Sequence, residues 1–215
     1  MLSVIAGSAD IVSFLALDLF SAHITGNLAI LAAHVVGGGS PHFGQLLSIP
    51  AFLAGAGITR LVAAGLEHGH HAALRPLLLL QLVLLAGMLV LGLAAGPGLD
   101  ADAPIGVLVG MLGVSAMAVQ NATVQVALPG TPSTAVMTTN VTRFAIDVVE
   151  VLRGNDGGAF ARAVRTGMII LGFVVGVGLG AIAYAATALW ALTLPVGLAA
   201  IALVIGIRLM PRATS

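Results

Sequence analysis

The run Gly7 to Leu31 is apolar enough to enter a bilayer, yet it carries Asp10, Asp18, His23, Thr25 and Asn27 in its middle. A charge at membrane depth costs roughly 2.5–3.5 kcal/mol on insertion scales, so it persists where it is paired, hydrated or used. Asp10 and Asp18 are separated by about 80° round an ideal helix and could face one cavity. A buried carboxyl there could carry a proton or, ionised, coordinate a cation; the alternative is that Asp10 caps a broken helix or pairs with a buried arginine. His23 and Asn27 stand at i, i+4 and share a face if Gly26 does not interrupt the helix. Otherwise His23, Thr25 and Asn27 satisfy backbone groups freed at a break. A transporter can use both roles, because unwound backbone at the midplane also forms substrate sites.

A second set lies far along the chain: Gln120, Asn121, Thr138, Thr139, Asn140 and Thr142, a lining that is neutral and rich in hydrogen bonds. Arg143, Asp147 and Glu150 follow at i, i+4 and i+7, so Arg143 and Asp147 can pair along one face; the alternative makes Arg143 the counter-ion of Asp10 or Asp18. His68, His70 and His71 crowd one short loop whose only carboxylate is Glu67, too thin a ligand set for a metal, and none is expected. Ser21 and His23 lack a nucleophile elbow, and with no cysteine there is no thiolate, disulfide or cysteine-held cluster. Neither an enzyme nor a cofactor is expected.

What must position these groups follows from composition. Of 215 residues 59% are hydrophobic and 7% charged, with mean hydropathy +1.13, where a soluble domain is about a quarter charged. The chain reads as an integral membrane protein, all-α, a polytopic bundle of about six spans at about 20 residues each. Its N-terminus lacks a basic leader and is read as a retained first membrane segment. The expected segments are Leu2–Leu19, a short piece Ile24–Val36 after a polar break, Gln45–Leu66, Leu74–Ala95, Ile105–Leu128, Ser133–Leu152, Thr166–Ala186 and Leu189–Leu209. Leu74–Ala95 is so uniformly apolar, with Gln81 its one polar interior group, that it is expected to be the most lipid-exposed. Residues Arg153 to Arg165 read as a basic connector.

The chain also repeats itself. Ala9-Asp10 aligns with Gln120-Asn121, Ser21–Thr25 with Thr138–Thr142, and Phe52/Gly55/Gly57 with Phe173/Gly176/Gly178; a rival register sets Thr25-Gly26-Asn27 on Thr138-Thr139-Asn140. This gives a first transmembrane repeat over 1–96, a hinge over 97–104 and a second repeat over 105–215. Arg153, Arg162 and Arg165, with Arg208 and Arg212, mark one side as cytoplasmic, and the arginine-free acidic hinge lies outside. The two three-span halves are then inverted, each interrupted segment acting as a span plus a re-entrant piece.

Gly7-x-x-Asp10 with Phe14-Leu15, Ala22-His23-x-Thr25-Gly26-Asn27-Leu28, Gln120-Asn121-Ala122 and Thr138-Thr139-x-x-Thr142 together resemble the YoaK-like family of bacterial inner-membrane proteins, a domain of unknown function (1275). The resemblance covers nearly the whole chain. It departs at Arg143, where glycine is commoner, and at Asp18, where a small or neutral residue is commoner. It implies a multi-pass protein of the bacterial inner membrane and supplies no substrate. From the paired polar segments the expected function is transport of a small polar solute or ion, coupled to protons through Asp10. The alternative is a non-transporting sensor or assembly protein with a purely structural polar core. A cavity touching Asp10, His23 and Gln120 would favour transport; a closed centre with Asp10 fully paired would favour the alternative. Expected partners are the lipid bilayer, the solute and, in a homo-oligomer, further copies of the chain; nucleic acid is not among them.

Overall fold

The computed structural model describes residues 1–38, 42–66, 73–128, 131–134, 137–154 and 157–209. Among these, all regular structure is helical: α1 (Leu2–Leu17), α2 (Ile24–Val36), α3 (Phe43–Gly65), α4 (Leu74–Ala95), α5 (Pro104–Ala127), α6 (Met137–Arg153), α7 (Ala159–Thr187) and α8 (Thr193–Leu209). A short 3-10 turn, Ala188–Leu192, joins the last two. Four stretches are long and apolar enough to cross a membrane: α3, α4, α5 and the run Ala159–Ile207. Leu53, Leu61, Val90 and Ile182 stand outward and exposed, as side chains facing lipid rather than water would. The chain is a multi-pass helical membrane protein.

Local chemistry explains the boundaries. Asp18 ends α1 in the left-handed conformation (φ 50°), which aspartate tolerates better than most residues. Pro104 opens α5, where its missing N–H costs nothing. The expected basic connector is instead the first turns of α7, because Ala159 and Ala163 bury at i, i+4 while Arg162 and Arg165 stay exposed on the other side. Of the polar segment expected from Ser133, Ser133 and Thr134 are not helical and the helix described is Met137–Arg153. The expectation for α4 is corrected too: a third of its most apolar window is buried, against 17% for α3. Leu77, Leu85 and Met88 pack inward, and Gln81 is fixed by a partner on α5.

Close approaches give the directions. Gly172 lies against Ser3, Gly176 against Val4 and Gly180 against Ser8 and Ile11, so α7 runs parallel to α1. Gly44 and Gly110 both touch Leu19, and Gly55 meets Ser115 and Ala118, so α3 runs parallel to α5. Gly113 sits by Ser13, and Gln120 binds the Leu2 carbonyl, so α1 and α5 cross antiparallel. Gly92 touches Leu192 and Gly206 touches Leu78, setting α8 antiparallel to α4. Each half therefore lends a helix to the other: α7 covers α1, and α3 covers α5. In both repeated glycine patterns the first member, Gly55 or Gly176, makes the close contact and the second, Gly57 or Gly178, faces open space.

These directions gather Arg60, Arg75, Arg153, Arg162 and Arg165 at one end of the bundle, and Asp18, Asp100 and Asp102 at the other. Arg75 donates to the Ile207 carbonyl (3.1 Å), pinning the last turn of α8 at the arginine end.

Candidate functional site

The chain turns back after α1 and dips to the level of mid-helix before α2 begins. Asp10, 3% exposed, holds this dip: one carboxylate oxygen accepts the Ala22 N–H (2.6 Å) and the other lies 2.7 Å from His23 Nδ1. A carboxylate only accepts, so Nδ1 carries the proton. Phe20 and Phe173 pack edge-on to the imidazole at 6.2 and 5.2 Å. Asn27, fully buried, clamps the turn by accepting the Phe20 N–H and donating to the Phe20 carbonyl, both at 2.8 Å.

A like arrangement sits between α5 and α6. Asn140 reaches back seven residues to the Ser133 carbonyl (2.7 Å), as Asn27 reaches back seven to Phe20. Asn121 Oδ1 accepts longer bonds from Ser133 and Thr134, both 3.5 Å. Gln120 donates to the Leu2 carbonyl (3.0 Å) and Thr134 (3.1 Å) and accepts from Gln81 (2.7 Å). The groups that make these bonds, Asn121, Gln120, Ser133, Thr134 and Asn140, are all neutral.

Between the two breaks lies a cavity of about 560 Å³, within the range of small-molecule sites. Its wall includes His23, Thr25, Asn121, Ser133 and Thr138, with Gln125, Phe52 and Arg60. Of the expected site residues, His23, Thr25, Asn121 and Thr138 come together on this wall. Asp10, Asn27, Gln120 and Asn140 stand behind it as supports. Asp18 belongs elsewhere, at the far end of α1 beside His34 and Gln45, so the two aspartates do not share a cavity. Thr139, Thr142 and Arg143 are exposed on α6, and Thr142 bonds back to the Thr138 carbonyl.

The expected pairing of Arg143 with Asp147 is replaced. Asp147 binds Arg162 of α7, with Nε and Nη2 both at 2.9 Å from Oδ1, because Asp147 is on the face of α6 that packs against α7. Asp10 takes His23 and the backbone as partners instead of an arginine. His68, His70 and His71 lie outside the described residues. Arg60 and Phe52 escaped the sequence reading. A charge inside the span Gln45–Leu66 was the available signal for Arg60; Phe52 reads as packing because its pattern matches that of Phe173.

The model of a family described as a protein of unknown function, DUF1275, matches residues 1–205, and the chain belongs to that family. No curated protein and no solved structure matches it.

Proposed function

We propose that this member of the DUF1275 family is a transporter that carries a small polar solute or ion through the central cavity, without enzymatic activity, in the bacterial inner membrane. The observation that carries the reading is the cavity itself, walled by both interrupted segments. Six crossings, α1, α3, α4, α5, α7 and α8, with α2 and α6 as re-entrant half-helices entering from opposite sides, accommodate it. The pairing of helices supports an inverted repeat: exchanging α1 with α5 and α3 with α7 exchanges the contact α1 to α7 with α5 to α3, and α2 to α3 with α6 to α7. Residues 111 apart, Val4 and Ser115, receive Gly176 and Gly55, themselves 121 apart. The equivalent asparagine clamps favour the register that sets Asn27 on Asn140.

The wall favours an anionic solute. Among the described residues it holds one guanidinium and one imidazole and no carboxylate, because Asp10 is shielded behind His23. The first turns of α2 and α6, which hold Thr25 and Thr138, bring two positive helix-dipole ends to the wall. The His23 ring links the buried carboxylate to the cavity and would relay a proton with the solute. The structural alternative draws on one observation, that Asp10 is paired on both oxygens and Gln120 is fully engaged away from the cavity. Reconstituted vesicles offered labelled small anions, neutral polar solutes and cations decide between them. Uptake of anions, lost by at least tenfold in Arg60→Gln, is expected; no uptake of any class, with Arg60→Gln indifferent to added solutes in thermal unfolding, would leave the structural role standing.

A further inference from the structure

At the end of the bundle opposite the arginines, four side chains from four separate segments converge. Asp18 is the residue that ends α1, His34 lies in the last turn of α2, His42 precedes α3, and Asp102 belongs to the hinge before α5. One potential ligand atom from each of Asp18, His34 and His42 falls within 4.8 Å of the others. Asp18 Oδ2 and His34 Nε2 are 3.6 Å apart, too far for a hydrogen bond. That spacing is close to the edge, roughly 3.3 Å, of a tetrahedron with metal–ligand bonds of about 2.0–2.1 Å. The His34 and His42 rings meet edge to face at 5.2 Å.

The surroundings are those of a ligand set. Asp102 Oδ2 lies 2.8 Å from His42 Nδ1; a carboxylate behind an imidazole fixes its tautomer and leaves Nε2 to a cation. Gln45, fully buried, donates to both the Asp18 carboxylate (3.2 Å) and its carbonyl (3.0 Å), orienting the acid. His34 has no such support: Nδ1 is buried without a partner, and neither ring nitrogen makes a hydrogen bond among the described residues. The Asp18, His34 and His42 side chains keep about a third of their surface exposed, leaving a path for entry and room for water.

We propose that Asp18, His34 and His42 bind one divalent ion of the Zn²⁺ class, with water in the fourth position and Asp102 as the positioning residue behind His42. Two imidazoles and one carboxylate favour such an ion over Ca²⁺ or Mg²⁺, which take oxygen ligands. The bound ion would tie the outer end of the re-entrant helix to α3 and, through Asp102, to the start of the second half. It stands apart from the cavity wall and does not depend on the transport reading.

The test uses the full chain in detergent, stripped with EDTA and then titrated with Zn²⁺, with metal content per chain measured, and with Co²⁺ as a visible-absorption probe of coordination. One ion per chain and a four-coordinate Co²⁺ spectrum are expected, both lost in His34→Gln and in His42→Gln. Asp102→Asn should keep the stoichiometry and weaken affinity about 10–100-fold; it also covers the case in which a ligand variant fails to fold. Undiminished binding in either histidine variant, an unchanged affinity in Asp102→Asn, or binding abolished instead by replacing His68, His70 and His71 would overturn the assignment.

Discussion

The two chain breaks solve one backbone problem with different chemistry. In each, an asparagine early in the following helix, Asn27 or Asn140, binds a main-chain group seven residues upstream, and a polar residue of the preceding helix, Asp10 or Asn121, meets the returning chain. The first break is drawn in tightly by an acid and an imidazole, at 2.6 and 2.7 Å; the second is held by neutral groups, with Asn121 at 3.5 Å. Hydrogen bonds to a charged group contribute about 1.5–3 kcal/mol, against about 1 for neutral ones. The two breaks share an asparagine clamp, while the acid–imidazole pair belongs to the first alone.

Breaking that difference should have its largest effect at the acid. Asp10→Ala strands the Ala22 N–H and unpairs His23, and is expected to cost about 3 kcal/mol in reversible unfolding, whereas Asn121→Ala should cost about 1. Asp10→Asn, which makes the first break resemble the second, should retain the Ala22 contact and most of the stability while removing any dependence of uptake on pH; uptake that still follows pH would take Asp10 and His23 out of proton coupling. Next come the clamps. Asn27→Ala removes two buried bonds and should lower stability by about 2 kcal/mol, compared with about 1 for the single bond lost in Asn140→Ala; equal losses would mean the second clamp has a further partner.

The glycine pairs, two of which should show the smallest effects, separate symmetry from function. A Cβ at Gly176 would press on the Val4 backbone, and one at Gly55 on Ala118 and Ser115, so alanine at either should destabilise by about 1–3 kcal/mol. Gly57→Ala and Gly178→Ala meet nothing and should change stability by less than about 1 kcal/mol, in the favourable direction set by helix propensity. Thermal melts of the four variants check this: matched behaviour across the halves supports the repeat, and a mismatch confines it to sequence.

Much of the frame was legible because lipid imposes a simple rule. Long apolar runs must be helices, so Ile24–Val36 and Leu74–Ala95 are read to the residue and the other ends to within a few, the start of α7 excepted. Where packing rather than solvent sets the end, the pattern misleads: Ala159 and Ala163 are too small to announce a buried face, and α7 begins earlier than its arginines suggest. The site was legible in kind, since polar residues in apolar surroundings are conspicuous. Which of them faces the cavity was not, because a side chain that supports a break and one that lines a cavity have the same composition. Asp18 shows the limit: its spacing from Asp10 assumes one continuous helix, and α1 ends just before it. His34 and His42 drew no attention because their partners, Asp18 and Asp102, come from other segments.

The exchange of helices between the halves has a consequence for how the chain is made. The face of α1 that receives Gly172, Gly176 and Gly180 is not covered until α7 has been synthesised, long after α1 has entered the bilayer. Likewise α3 must wait for α5. The first 96 residues cannot complete their own packing: α3 is covered once α5 is made, and α1 only once α7 is made. A chain cut at the hinge should yield fragments that are degraded when produced singly and recover when produced together.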